Sequence, residues 1–229
     1  MRLLQLNTTV RDHPVVKQNY WIAPVREPKM GALRPIFLLE EKNMKFTPRR
    51  IAFAGILAAV YAAITYLTSS FAYGPVQFRL AEAFAALCCF TPAAIWGMVV
   101  GCMAANLASF VSAWDFAIGS FATLLACLIT WSMSRRLREA NTPGATGGAG
   151  RSVWGLLLLI PLPTVLCNAV IVGAEIAVFF DSERAFLPAW WLNGLSVGAG
   201  EAAVLYALGL PLLLWLLKDK RLGQQLRSI

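Results

Sequence analysis

The sequence predicts an all-α membrane protein with six transmembrane helices and both termini in the cytoplasm. Its 229 residues are 58% hydrophobic and only 14% charged, and the mean hydropathy is +0.62. An ordinary soluble domain carries roughly 25% charged residues and has no apolar runs of membrane-spanning length. The apolar region 51–217 has room for about five to seven helices that cross a bilayer. A separate water-soluble catalytic domain does not fit beside them.

Six apolar segments form the predicted helices. Pro92 separates the second segment from the third. The fifth and sixth segments exceed the roughly 20 residues needed to cross a bilayer. Because they contain Pro161, Pro163 and Pro211, we expect tilted, kinked or broken helices there. The predicted segments are 51–69, 78–90, 93–110, 116–134, 153–180 and 189–217.

Basic residues set the predicted orientation, because short loops rich in lysine and arginine stay in the cytoplasm. In the six-helix arrangement, eleven lysines and arginines fall on one side, and only Arg79 and Arg184 fall on or toward the other. Both termini are therefore predicted to be cytoplasmic. The glycine-rich stretch at about 139–151 is predicted to form a flexible cytoplasmic linker between the two halves.

Residues 1–43 differ in composition from the rest of the chain. They contain four of the 12 prolines and the single histidine, His13, and they lack a sustained amphipathic pattern. Met44 then opens a basic stretch that runs directly into the first apolar segment. We predict that 1–43 form a non-native or disordered extension and that 44–229 form the membrane domain. The alternative is a genuine cytosolic tail.

Several polar residues lie inside the apolar segments, where an ionised side chain costs about 2.5–3.5 kcal/mol at the bilayer centre. Side chains retained at that cost usually face a cavity or a substrate path. Helical spacing places Asn168 and Glu175 on one face of a helix, and Asn193 and Glu201 on one face of another. The candidate substrate-binding residues are Arg79, Glu82, Asn106, Asp115, Asn168, Glu175 and Glu201.

Each candidate also has a purely structural interpretation. Arg79 and Glu82 are three residues apart and can pair with each other near a membrane surface. Asp115 can cap the fourth helix without a further role. Glu175 and Glu201 can form interhelical hydrogen bonds or lie near the membrane surface, and asparagine amides commonly bond between helices in membranes.

Carboxylates that face amides suit a purine-like lactam as ligand. The ring N–H and the exocyclic amine donate to a carboxylate, and the ring carbonyl accepts from an asparagine amide or an arginine. Phe78, Trp190 and Trp191 are candidates to stack on such a ring. The same carboxylates can equally hold a cationic amine.

Pairs of small residues four apart allow helices to approach closely in lipid. Such pairs occur at Gly97 and Gly101 and at Gly194 and Gly198. A stripe of alanines on the first helix can serve internal packing or form a docking face for another membrane subunit. The residues of this stripe are Ala58, Ala59, Ala62 and Ala63.

The remaining chemistry-bearing residues do not indicate catalysis. The five cysteines lie in apolar runs without C-x-x-C spacing, and we predict that they pack as small hydrophobes. The predicted membrane domain contains no histidine, which excludes a histidine-based metal or catalytic site there. We therefore expect no enzyme activity, no cofactor, no metal and no nucleic-acid partner.

Four motifs carry a family resemblance. They are V-Q-F-R-L-A-E-A at 76–83, G-x-x-x-G-C-x-x-A-N-L at 97–107, D-x-x-x-G-S-x-A-T-L at 115–124 and N-A-V at 168–170. Together they resemble the QueT family of queuosine-precursor transporters, which are substrate-binding (S) components of energy-coupling factor importers. The likeness covers most of 44–217 and none of 1–43.

The resemblance implies a six-helix bundle of the S-component type in the bacterial plasma membrane. It implies a deazaguanine ligand such as 7-aminomethyl-7-deazaguanine, bound on the outer side mainly between the later helices and the loop after the first helix, at about 70–77. It also implies a transmembrane T component and two ATPases as partners, docked through small residues of the first helix.

Two questions stay open at the level of sequence. Folates, vitamins and deazapurines are all bound by architectures of this kind, so the ligand is not fixed. A self-sufficient proton-coupled secondary transporter, with Glu175 or Glu201 as the coupling carboxylate, is the rival class.

Overall fold

The computed structural model describes residues 47–72, 76–108, 113–140 and 151–229. All regular secondary structure in these ranges is helical, which confirms the predicted all-α class. The described residues belong to one compact unit. The predicted extension, 1–43, and residues 141–150 of the predicted linker lie outside the described residues, so both stay predictions.

Eleven α-helices, one 3-10 helix and two π-helical segments follow one another in the described ranges. We call the two π-helical elements the first and second π segments. In chain order the elements are α1 (Pro48–Leu67), α2 (Ser69–Ala72), the 3-10 helix (Leu80–Cys89), α3 (Pro92–Ala108), α4 (Ala113–Met133), α5 (Arg135–Ala140), α6 (Arg151–Leu159), α7 (Leu162–Cys167), the first π segment (Asn168–Val172), α8 (Gly173–Phe179), α9 (Phe186–Val204), the second π segment (Leu205–Gly209), α10 (Leu210–Lys218) and α11 (Lys220–Ser228).

The multi-pass membrane character that the composition predicts is present in the helices. Two shorter apolar helices, Leu80–Cys89 and Pro92–Leu107, correspond to the predicted second and third segments. The count of six crossings and the cytoplasmic position of both termini stay predictions. Among the described residues, four helical stretches are long and apolar enough to cross a bilayer, namely Pro48–Leu67, Trp114–Met133, Gly155–Phe179 and Phe186–Lys218.

Prolines interrupt the two longest stretches, as the sequence predicts. Pro161 lies in the turn between the end of α6 and the start of α7. Pro211 lies in the first turn of α10, directly after the second π segment. A proline lacks the backbone N–H, and its ring clashes with the carbonyl four residues earlier. For Pro211 that carbonyl belongs to residue 207, inside the second π segment, which explains the local distortion.

The 3-10 helix packs against many of its neighbours in the bundle. It contacts α1, α3, α4, α10 and the second π segment, and seven of its ten residues are buried. Its alanines and cysteines are small, so neighbouring helices approach it closely. At a rise of about 2.0 Å per residue, ten residues extend about 20 Å. The sequence predicts a short membrane helix at 78–90, and the structure shows that its conformation is 3-10.

α1 and α3 pack closely through the predicted glycine pair. A Cβ atom at Gly101 would lie 2.7 Å from the Cβ of Tyr61 and 3.0 Å from the carbonyl oxygen of Ala58. A Cβ atom at Gly97 would lie 2.9 Å from the Cβ of Leu57. These distances are shorter than van der Waals contact, so the two helices approach this closely only because α3 carries glycine. Ala58 is itself buried beside this contact.

α9 packs against α8 and the first π segment through direct backbone contact. A Cβ atom at Gly173 would lie 2.6 Å from the Cα of Gly194. At Gly194, a Cβ atom would lie 2.8 Å from the carbonyl oxygen of Ala169, and at Gly198 it would lie 3.2 Å from the Cβ of that alanine. The predicted pair Gly194 and Gly198 thus serves internal packing, and it brings the polar residues of these elements face to face.

Replacing Gly101 by alanine is expected to lower the free energy of unfolding by about 1–3 kcal/mol, which is the usual cost of overpacking a close contact. Unfolding of the purified protein in detergent micelles measures this change. Gly155→Ala is the matched control, because nothing lies within 4 Å of the Cβ position at Gly155. Equal stability of the two variants would contradict the close contact between α1 and α3.

Candidate functional site

A cluster of buried polar side chains lies inside the apolar bundle. It contains all seven candidates predicted from the sequence, and none of these seven is more than 5% exposed. Three further residues join them, one each from α1, α3 and α4. We call the following ten residues the buried polar cluster: Tyr61, Arg79, Glu82, Cys102, Asn106, Asp115, Thr123, Asn168, Glu175 and Glu201.

Arg79 connects the start of the 3-10 helix to α3 and α4. Its Nη2 lies 3.6 Å from Oδ1 of Asp115, and its Nη1 lies 4.0 Å from the Sγ of Cys102. The Nδ2 of Asn106 donates to the main-chain carbonyl of Asp115 at 2.9 Å. Asp115 lies in the first turn of α4, where the helix dipole stabilises a negative charge. Its role is therefore wider than helix capping.

Tyr61, Cys102 and Thr123 carry no obvious sign of a polar site in the sequence. The hydroxyl of Tyr61 donates to Oε1 of Glu82 at 2.6 Å. The Sγ of Cys102 accepts from Nδ2 of Asn106 at 3.5 Å and from Oγ1 of Thr123 at 3.4 Å. The interpretation of the cysteines as apolar packing residues is thus incomplete for Cys102. Its position four residues before Asn106 on α3 is the signal that places the two side by side.

Asn168 and Glu201 meet between the first π segment and α9. The Nδ2 of Asn168 donates to Oε1 of Glu201 at 3.1 Å, so the interhelical hydrogen bond of the structural interpretation is present. This hydrogen bond uses only one polar atom of each side chain. Oδ1 of Asn168 and Oε2 of Glu201 have no hydrogen-bond partner among the described residues. Two neighbouring buried acceptors can receive two donors from a ligand.

Glu175 projects from α8 and is 5% exposed. Neither oxygen of its carboxylate has a hydrogen-bond partner in the described part of the chain. It interacts electrostatically with Asp115 and Arg79, while Glu201 interacts with Glu82 and Arg79. Four carboxylates thus share one guanidinium. They are not arranged as a metal site, since no three His, Cys, Asp or Glu side chains of the described ranges are grouped to hold an ion.

Asn193 lies apart from the cluster although it shares α9 with Glu201. Its Nδ2 donates to Oδ2 of Asp181 at 3.0 Å and to the carbonyl of Ala189 at 2.9 Å. Eight residues separate Asn193 from Glu201, which is about 12 Å along the helix. The hydrogen bonds from Asn193 and Arg184 hold the pKa of Asp181 below its ordinary value. This network belongs to the loop that precedes α9.

The tryptophans predicted to stack on a ligand lie in the first half of α9. Trp190 stacks on Phe186 with ring centroids 6.0 Å apart, and its Nε1 donates to the carbonyl of Val170 at 3.0 Å. Trp191 is 65% exposed and Phe78 is 37% exposed. Trp190 therefore contacts the first π segment through the carbonyl of Val170.

Residues 76–79 pack against α9 beside the cluster. A Cβ atom at Gly200 would overlap the carbonyl oxygen of Gln77 and would lie 2.8 Å from its carbonyl carbon. Only glycine permits this approach of one backbone to another. Gly200 directly precedes Glu201, and the packed segment ends at Arg79. The contact therefore joins two sides of the cluster, and hydropathy in the sequence gives no sign of it.

Comparison with known proteins agrees with the motifs. A family model described as QueT transporter matches residues 51–218. No curated protein and no solved structure matches the sequence. The matched range covers well over half of the chain and includes every residue of the buried polar cluster. The chain therefore belongs to the QueT transporter family.

Proposed function

We propose that this protein is the membrane-embedded substrate-capture subunit, or S component, of an energy-coupling factor importer, and that it takes up a queuosine precursor of the 7-deazaguanine type. The observation that carries the proposal is the buried polar cluster within the apolar helices of a transporter family. Polar groups retained at such a position usually mark a substrate path. The partners in this proposal are a transmembrane T component and two ATPases in the bacterial plasma membrane.

The free acceptors of the cluster suit the donor-rich edge of a deazaguanine. That edge presents a ring N–H and an exocyclic amine, and both are donors. Oε2 of Glu201 and Oδ1 of Asn168 are neighbouring acceptors without a partner in the described ranges. Hydrogen bonds to a carboxylate are roughly twice as strong as neutral ones. Arg79, which interacts electrostatically with Glu201, is the donor that suits the ligand carbonyl.

Access to the cluster requires movement. The seven candidate residues are at most 5% exposed, so a ligand reaches them only when an element packed over them shifts. In this proposal the element that moves is the segment 76–79, which is non-helical and packs against Gly200. It forms part of the loop after the first helix, and residues 73–75 of that loop lie outside the described residues.

The docking face is best assigned to the exposed side of α1. Ala59 and Ala63 are exposed, whereas Ala58 is buried and Ala62 is half-buried. Small exposed side chains allow another helix to approach closely in lipid. Exposure therefore favours Ala59 and Ala63, among the four alanines of the stripe, as the contact with the T component.

A proton-coupled secondary transporter is the second candidate function. It is favoured by Glu175, because unpartnered carboxylates within membrane segments also form proton relays. Uptake into vesicles that contain this protein alone, and that collapses with the proton gradient, would support this candidate. Uptake that requires the T component, the ATPases and ATP would support the S component.

The purified protein is expected to bind 7-aminomethyl-7-deazaguanine one-to-one without ATP. Glu201→Gln should weaken binding about tenfold to a hundredfold, because loss of a charge-assisted hydrogen bond costs about 1.5–3 kcal/mol. Asn168→Ala should weaken binding by a smaller factor. Isothermal titration of the protein in nanodiscs measures the dissociation constants.

Glu183→Gln is the matched control for that titration, since Glu183 is an exposed carboxylate outside the cluster. An unchanged dissociation constant for Glu201→Gln would show that the site is misplaced. Tight binding of an unrelated vitamin or nucleobase, with no response to deazapurines, would refute the ligand while leaving the importer role intact.

Ala59→Trp and Ala63→Trp are expected to abolish ATP-dependent uptake and to leave ligand affinity unchanged. A bulky side chain on α1 would push away the helix of the T component, and close packing across the interface would be lost. The two readouts are ligand affinity of the isolated protein and uptake with the T component and ATPases present. Ala203→Trp, at an exposed alanine of α9, is the control. Normal uptake by both α1 variants would remove the docking assignment.

Gly200→Ala is expected to weaken ligand binding about tenfold, since the added methyl displaces the 76–79 segment at a cost comparable to overpacking. The free energy of ligand binding should change more than the free energy of unfolding, because this non-helical segment can shift without unfolding the bundle. Gly55→Ala is the control, with nothing within 4 Å of its Cβ position. Wild-type affinity of Gly200→Ala would exclude a role for this contact in binding.

A further inference from the structure

A small cavity lies inside the bundle, apart from the buried polar cluster. Residues of the 3-10 helix, α4, α7, α10 and the second π segment line it, and its volume is about 10 Å³. Its wall is mostly aliphatic, but Thr130 of α4 and Thr164 of α7 also line it. The volume is close to the smallest that holds one water molecule. The two threonines therefore decide what the cavity can bind.

The hydroxyls of Thr130 and Thr164 are deeply buried. Both residues are 1% exposed, and neither Oγ1 has a hydrogen-bond partner among the described residues. A threonine hydroxyl can donate to a carbonyl three or four residues earlier, as Thr68 at the end of α1 does to Ile64 at 2.7 Å. A buried hydroxyl that makes no such bond is costly. Two of them on one small cavity indicate a ligand that bonds both.

The chemistry of the wall favours a neutral ligand that both donates and accepts hydrogen bonds. A threonine hydroxyl donates one hydrogen bond and accepts others, and a water molecule can satisfy two such groups at once. No charged side chain of the described ranges lines the cavity. An ion without a counter-charge is costly at membrane depth. Water is therefore the ligand that fits both the size and the polarity of the cavity.

The cavity lies about one helical turn from the buried polar cluster. Thr164 is four residues before Asn168, and Leu205, which also lines the cavity, is four residues after Glu201. Four residues of an α-helix rise about 6 Å, and Asn168 donates to Glu201 at 3.1 Å. Both segments therefore carry a polar residue in the cluster and a cavity residue one turn away on the same side. A water in the cavity extends the polar interior of the bundle by this turn.

We infer that Thr130 and Thr164 bind one buried water molecule, which bridges α4 to α7. These two helices pack against each other. The bridge supplies a hydrogen-bonded link between them that the two side chains do not make directly within the described ranges. The inference goes beyond the proposed function and does not depend on the identity of the substrate. Its failure would therefore leave the S-component proposal untouched.

A double-mutant cycle tests the bridge through the unfolding equilibrium constant in detergent micelles. Thr130→Val and Thr164→Val keep the side-chain shape and remove the hydroxyl. Each should raise the constant about threefold to tenfold, because the bridging water loses a partner. The double variant should raise it by less than the product of the two single effects, because a cavity without hydroxyls no longer needs the water.

Thr65→Val is the matched control. Thr65 is also 1% exposed, and its Oγ1 also lacks a partner among the described residues, but Thr65 does not line the cavity. Its replacement should leave the constant unchanged or lower it, since a buried hydroxyl without a bond is removed. The same result for Thr130→Val and Thr164→Val would overturn the water site. Single effects that multiply in the double variant would overturn the bridge.

A structure of the protein in lipid, at a resolution that shows ordered waters, tests the site directly. It should show one water about 2.7–2.8 Å from both Oγ1 atoms, and it decides the question if a valine variant does not fold. Absence of density between the two hydroxyls would refute the inference. Unfolding in sodium chloride and in choline chloride separates water from an ion. Equal constants support water, whereas stabilisation by sodium that either valine variant abolishes would assign the site to a cation.

Discussion

The pairing of the Arg79 guanidinium with buried carboxylates is the interaction on which the polar interior depends. Arg79 is the one buried cation in the described part of the chain, and Asp115 is its direct partner at 3.6 Å. Glu82, Glu175 and Glu201 lie within its electrostatic range. These acids belong to the 3-10 helix, α4, α8 and α9. A guanidinium at membrane depth needs a counter-charge, which Asp115 supplies, and the acids around Arg79 come from four different elements.

Close backbone packing makes that convergence possible. Gly101 lets α1 approach α3, and Gly173 with Gly194 lets α8 approach α9. The 3-10 helix, whose alanines and cysteines occupy little space, packs against α1, α3 and α9. Gly200 then admits the backbone of residues 76–79 next to Glu201. The same small residues that pack the helices in lipid therefore also bring the polar groups into one cluster.

Composition predicts the membrane class and the helical segments, because apolar runs of bilayer length are visible without tertiary information. The charged candidates can also be found from the sequence, because a charged residue inside an apolar run is recognisable without tertiary information. The sequence does not identify Tyr61 and Cys102 as members of the cluster. Tyrosine and cysteine are ordinary residues of apolar helices, and only the fold gives these two polar neighbours. Hydropathy does not distinguish a 3-10 helix at 80–89 from an α-helix. Asn193 shares a helix with Glu201, yet the distance along that helix separates them.

We propose that the cluster captures the ligand and that the exposed side of α1 docks on the T component, which would give one small chain two separable tasks. This proposal requires the buried polar cluster to be the ligand site. A structure of the ligand-bound protein in a lipid nanodisc tests this most directly. It should show the base between α8, α9 and the 3-10 helix, with its ring edge within hydrogen-bond distance of Asn168 and Glu201. Ligand density elsewhere, with these side chains still bonded only to each other, would contradict the account.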